Sequence, residues 1–297
     1  MTIKTIHRIF SILLFTVLGK PLFPDINVYS HRHYESDKIL FKRFTEKTGI
    51  KINVIKGSAD QLIQRLVSEG DNSPADILLT VDAGRLERAK SAGILQPVKS
   101  KTLIKNIPNE MRDEDGYWFG LTVRSRVIIY SPDRVNFDEL STYEDLTNPR
   151  WKGRIVARSS NNIYNQSLLA SLIIANGREN ALDWAKEVRK NMARSPRGSD
   201  RDQIRAVASG LADIAIANTY YLGILANSSK KADREVASKV SVFFPNQRNR
   251  GSHINVSGGG VTSSSKNKDE AIQFLEFLSN SESQEIFGKV NYEYPVK

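Results

Sequence analysis

The 297-residue chain contains no cysteine. That excludes disulfides, thiolate metal sites, iron–sulfur clusters, a cysteine nucleophile and a lipid-anchored cysteine together. Histidine is almost as scarce. His7, His31, His33 and His253 are the full set, too few for a histidine-rich metal site. After the first twenty residues no stretch of 18 is apolar, so the rest of the sequence offers no spanning helix. Catalytic signatures are missing as well: no GxSxG, HExxH, phosphate-binding P-loop or GxGxxG occurs. Gly258-Gly-Gly260 is too short to cradle a phosphate and reads as a tight strand turn. An enzyme is a poor reading of this chain.

What is present fits a soluble globular protein. The length suggests about two domains. With 40% hydrophobic and 26% charged residues, extended disorder is excluded. Lys and Arg total 43 against 33 Asp and Glu, a formal charge of +10, which raises the question of an anionic partner. The charges are scattered, and the one cluster, Arg194 to Arg205, is broken by Pro196, Asp200 and Asp202. A nucleic-acid partner is not expected.

At the amino terminus Lys4 and Arg8 precede a largely apolar run, Ile9–Leu18. A positive segment followed by about ten apolar residues has the form of an export signal and is too short to span a bilayer. The reading is a signal over residues 1–20, the alternative being a buried terminal strand or helix. Without a cysteine for lipidation, a free periplasmic protein is expected.

Strands and helices then alternate. Ile26–Tyr29 reads as a strand, and a helix carrying Ile39, Leu40, Phe41 and Phe44 ends at Gly49. Ile50, Ile52 and Val54 alternate with polar residues. Ser58 to Gln61 forms a capping box ahead of Leu62, Ile63 and Leu66. Ala75–Val81 is a continuous apolar run, as in a central parallel strand. The pattern predicts a three-layer α/β domain. Val123–Tyr130 is a longer β-prone stretch, able to run from one domain into the next. A second series follows: a strand at Arg154–Ala157, helices at Tyr164–Ala175, Glu179–Asn191 and Asp202–Ser209, and a strand at Ala212–Ala217. Ile254–Val261 reads as a return strand and the segment holding Ala271 to Leu278 as a helix.

Four stretches in this order carry a resemblance: Val28–Asp37 (VYSHRHYESD), Pro74–Leu95, Leu140–Ile155 and Ala208–Gly223 (ASGLADIAIANTYYLG). The chain resembles the periplasmic solute-binding proteins of bacteria, and within them the ferric-iron-binding branch. The resemblance implies an α/β fold of two lobes, each a mixed, mostly parallel sheet flanked by helices, with the ligand in the cleft between them. It places the first lobe at 21–123 plus about 242–280, and the second at 124–241 plus about 281–297. It also implies delivery to an ABC importer permease in the inner membrane, with monomers suiting the architecture.

Carried over position by position, the resemblance gives Tyr34, Tyr164, Tyr220 and Tyr221 as iron ligands. His33 is left with two roles, direct ligation or a hydrogen bond to a ligand. Arg124 matches an arginine of the cleft and Arg32 is a weaker candidate. Either would offset site charge or hold a carbonate-like anion.

The chemistry is consistent with that set. Fe(III) is hard and highly charged and prefers anionic oxygen. A phenol is protonated at neutral pH, and a trivalent cation stabilises its deprotonated form directly. Four phenolates around Fe(III) leave the site one negative charge in excess, which a nearby cation would balance. The rival is a binding protein of the same architecture for an oxyanion or small organic solute.

Overall fold

A computed structural model of the protein describes residues 25–32 and 34–297. The expected export signal at 1–20 and His33 lie outside the described residues. The first half runs β1 (Ile26–Ser30), α1 (Glu35–Thr48), β2 (Ile52–Lys56), α2 (Ala59–Glu69), β3 (Ile77–Val81), α3 (Ala83–Ser91), α4 (Lys101–Asn106) and β4 (Phe119–Tyr130). Next come β5 (Ile155–Val156), α5 (Ile163–Asn176), α6 (Arg178–Lys190), α7 (Asp200–Ala208), β6 (Ile214–Asn218), α8 (Thr219–Ala226), α9 (Lys231–Ser238) and β7 (Ser241–Phe243). The chain closes with β8 (Ile254–Val261), α10 (Lys268–Leu278), α11 (Ser281–Ile286) and β9 (Tyr294–Pro295).

Local chemistry sets these boundaries. Gly49 stops α1 in the left-handed conformation at φ 82°, where a side chain would be strained. Ser58 and Gln61 make the reciprocal capping box that starts α2. All five residues of β3 are buried, which is why that run carries no alternation. No helix among the described residues is long and apolar enough to cross a membrane.

Strand β4 organises the molecule. Its twelve residues are all buried. Phe119–Ser125 pair antiparallel with β8 in one sheet, and Arg126–Tyr130 pair antiparallel with β6 in the other. The first sheet continues through β3, parallel β1 and β2, and the second through parallel β5. One core fills the first lobe, with Phe44 packed on Phe274 and Phe277 at ring separations of 5.0 and 5.4 Å. The second lobe has a core on each face of its sheet. Ile214 and Ile216 of β6 enter one, around Trp151, while Ala215 and Ala217 enter the other, as the two-residue period of a strand requires.

The lobe boundaries differ from those expected at the carboxyl end. Residues 281–297 belong with the first lobe: Phe287 and Val296 sit in its core, β9 pairs with Thr122 and Val123, and Gln284 Nε2 donates to the Leu121 carbonyl. Val242 and Phe243 pack in the second lobe instead. Short polar connections gave the sequence no marker of where the chain changes sides.

The glycine run is a second correction. Gly258-Gly-Gly260 lies inside β8 rather than in a turn. A Cβ would stand 2.2 Å from the Phe119 carbonyl oxygen at Gly258, and 2.3 Å from that of Tyr117 at Gly260. The run exists because neighbouring backbone approaches closely on both sides. Gly258→Ala is expected to destabilise the fold by about 1–3 kcal/mol, the usual cost of overpacking, read as an earlier midpoint in urea.

Candidate metal centre

Three helix starts converge between the lobes, and each brings a tyrosine. Tyr34 caps α1 just beyond β1, in extended conformation. Tyr164 is the second residue of α5, its N–H bonded to Asn162 Oδ1 at 3.0 Å. Tyr220 and Tyr221 are the second and third residues of α8, directly after β6. Two adjacent side chains can aim at one ion only where the backbone turns, and the first turn of this helix supplies that. Tyr34 and Tyr220 follow the carboxyl ends of β1 and β6, where α/β sheets place ligands.

The four rings meet. Tyr34 lies edge-on to Tyr220, centroids 6.4 Å apart, and Tyr220 leans on Tyr221 at 4.2 Å. The Tyr164 and Tyr220 hydroxyls are 3.4 Å apart. All four line a cavity of about 310 Å³, together with His31, Glu35, Val81, Arg201 and Asn291 among others. A larger space of about 640 Å³ lies within the second lobe between α5 and α6, walled by Leu168, Trp184 and Met192, and none of the four tyrosines lines it. Among the described residues no group of three His, Cys, Asp or Glu is placed to hold a metal.

Electrostatics favour negative charge here. Helix amino termini carry partial positive charge from unpaired N–H groups, and three of them face this cavity. Arg124, Arg158 and Arg126 stand over the Tyr164 ring at 5.4, 5.5 and 5.9 Å. In the metal-free protein Tyr34, Tyr220 and Tyr221 stay protonated at neutral pH. Burial, the largest cause, pushes all three above the ordinary phenol value, and the Glu293 carboxylate pushes Tyr34 further. Burial opposes the charge on Arg124, yet the pull of Tyr164, Tyr34, Glu293 and Tyr220 leaves its pKa raised.

The two expected arginines part company. Arg124 is buried, donates Nη1 to Ser257 Oγ at 2.7 Å, and keeps Nε and Nη2 without a hydrogen-bond partner among the described residues. Arg32 is committed elsewhere: Nε and Nη2 bond Asp37 at 3.1 and 2.9 Å, and the guanidinium stacks on Tyr34 and Phe287. Its Nη1 is left without a hydrogen-bond partner among the described residues. Its proximity to Tyr34 supports that ring from behind.

Several contributors left no mark in the sequence. Glu293 is buried and accepts from Thr122 Oγ1 at 3.0 Å, within electrostatic reach of Tyr34, Arg32 and Arg124. His253 lines a small space with Arg124, Arg126 and Tyr164, and burial with those two arginines lowers its pKa to about 4. Contacts besides the Tyr34–Tyr220 pair join the lobes. Asp82 holds a positive φ of 84° and accepts from Ser167 Oγ at 2.7 Å and Asn255 Nδ2 at 2.6 Å. Tyr292 packs against Gly223, where a Cβ would lie 2.6 Å away. The glycine closing TYYLG is thus explained by the far end of the chain.

Residues 72–297 match a family model described as bacterial extracellular solute-binding protein. The chain belongs to that family. As a binding protein rather than an enzyme it has close relatives. Iron uptake protein A1 of Synechocystis is 53% identical over 92% of this chain and 76% of its own length. A Trichodesmium protein solved in complex with iron and citrate ligands superimposes with a TM-score of 0.88 at 56% identity, covering 92% of this chain and 86% of that one. The ferric binding protein of Campylobacter jejuni gives 0.88 at 47%, covering 92% and 87%. The two-lobe α/β architecture of the binding protein is the one these solved relatives share.

Proposed function

We propose that this protein binds ferric iron in the interlobe cleft through the phenolate oxygens of Tyr34, Tyr164, Tyr220 and Tyr221, and delivers it in the periplasm to an ABC importer of the inner membrane. The observation that carries the reading is the convergence of four tyrosines on one small cavity, with three arginines stacked on the ring of one of them. Iron uptake and ferric binding in the relatives support it. The donor set suits a hard trivalent ion, and the arginines with the helix termini offset the negative charge that four phenolates bring.

Tyr164, Tyr220 and Tyr221 belong to one lobe and Tyr34 to the other. Capture by the first three followed by lobe closure onto Tyr34 is the mechanism this division supports, the metal supplying the contact that stabilises the closed form. The unpartnered nitrogens of Arg124 are suited to a carbonate-like anion at an open coordination position. A monomer suffices, because one chain brings all four tyrosines.

The test is a visible titration of metal-stripped protein with chelated Fe(III). A saturable phenolate-to-iron charge-transfer band at one iron per chain is the expected result. Its absence would transfer the cleft to the oxyanion or organic-solute reading.

A further inference from the structure

Arg124 and Arg126 are two residues apart on β4 and both stand over Tyr164, yet their surroundings differ. Among the described residues Arg124 has no carboxylate hydrogen-bonded to it. Arg126 is 2% exposed and forms an ion pair with the fully buried Asp200, Nη1 to Oδ2 at 2.5 Å. The same Nη1 reaches Asn218 Oδ1 at 3.2 Å, and Nη2 donates to Asn165 Oδ1 at 2.6 Å. Asp200 Oδ2 in turn accepts the backbone N–H of Asn218 at 2.9 Å. Tyr143 Oη donates to the Arg126 carbonyl, so the strand is pinned beneath its own side chain.

The partners of this fork are neighbours of the tyrosines. Asn165 follows Tyr164 on α5. Asn218 is the cap of α8, two residues before Tyr220. Asp200 opens α7. One planar guanidinium therefore ties together the starts of the two helices that carry three of the four tyrosines, with a third helix providing its counter-charge. A buried ion pair gives a fold little net stability over an apolar replacement, whereas a planar fork fixes directions. Asp200 is shared, since Arg158 Nη1 stands 3.6 Å from its Oδ1, so the one carboxylate offsets part of the charge of the two arginines.

We infer that Arg126, paired with Asp200, is a positioning residue that presets Tyr164 against Tyr220 and Tyr221 before iron arrives, while Arg124 supplies compensating charge. This rests on the tyrosine-site reading above. It assigns to a structural-looking pair a role in the geometry of the metal centre.

Arg126→Lys keeps the charge and removes the fork, and Asn165→Ala removes one tine from a part-buried position. Each is loaded to saturation with Fe(III), and the charge-transfer maximum, the affinity against a competing chelator and the metal-free melting temperature are read. The expectation is a displaced band and an affinity about 10- to 100-fold weaker, the usual effect of losing a group that orients a metal ligand, with Asn165→Ala melting close to the parent. If both variants show the parent band and the parent affinity, the inference is overturned while the tyrosine site stands. If melting falls and the loaded protein keeps the parent band, the pair is structural only, and the inference is again overturned. Absence of a band in the parent would remove the tyrosine reading itself, a result separable from either.

Discussion

Tyr220→Phe is expected to weaken ferric iron binding by at least about a hundredfold, because removing a direct ligand should cost no less than the 10- to 100-fold typical of an outer partner. Tyr220 is the right residue to remove. It is the most buried of the four, touches Tyr34 and Tyr221 through its ring, and has its hydroxyl beside that of Tyr164. Phenylalanine keeps the ring and those packing contacts, so the metal-free fold should melt close to the parent. A competition titration with a chelator of known affinity measures the loss. Unchanged affinity in Tyr220→Phe would remove that hydroxyl from the ligand set. Tyr34→Phe should act differently if capture precedes closure: binding weakens but the band survives, since three phenolates of the second lobe remain.

The second large effect is on protons. Burial raises the phenol pKa of Tyr34, Tyr220 and Tyr221, so the metal-free site at neutral pH is protonated at those three oxygens. Iron has to displace a proton from each phenol it takes as phenolate. The sign follows directly: affinity rises with pH and is lost as pH falls, by a factor of about ten per pH unit for every proton released. The expected release is close to four protons per iron, measured in weakly buffered solution with iron supplied from a chelate of known protonation. Release of three would leave one tyrosine outside the coordination shell. Release near zero would contradict phenolate ligation altogether. The same steepness makes mild acid an efficient means of unloading the protein.

The order of strands and helices was legible wherever burial imposed a period. The capping box at Ser58, the glycine stop at Gly49 and the fully buried β3 all lie where the pattern puts them. The long strand through Val123–Tyr130 does serve both sheets. Helix α8 was not foreseen, because TYYLGILA is apolar all round and carries no amphipathic period. The lobe membership of residues 281–297 was not legible either. It depends on Phe287, Val296 and Gln284 meeting residues more than a hundred positions away.

The site divides along the same line. Tyr34, Tyr164, Tyr220 and Tyr221 stood out in short motifs, and the structure brings all four together. Arg126, Asp200, Asn165 and Glu293 did not, since a buried polar residue has no local signature in a sequence. Their partners are set by the fold, and their significance appears only once the partners are known. Arg32 shows the limit from the other side: its place beside the motif suggested a charge or an anion at the site, but nothing in the sequence announced its ion pair with Asp37 in the first turn of α1.

The convergence of three helix starts has a practical corollary for protein engineers. Part of the positive field around the cavity comes from main-chain amides, and truncating a side chain does not delete those. Variants lacking a single arginine should therefore keep a weakened site rather than lose it. Grafting the four tyrosines at the same spacing onto a β-barrel or the flank of a long helix would copy the donors without the field. What has to be transplanted is the set of strand-to-helix junctions, with the tyrosines as their last detail.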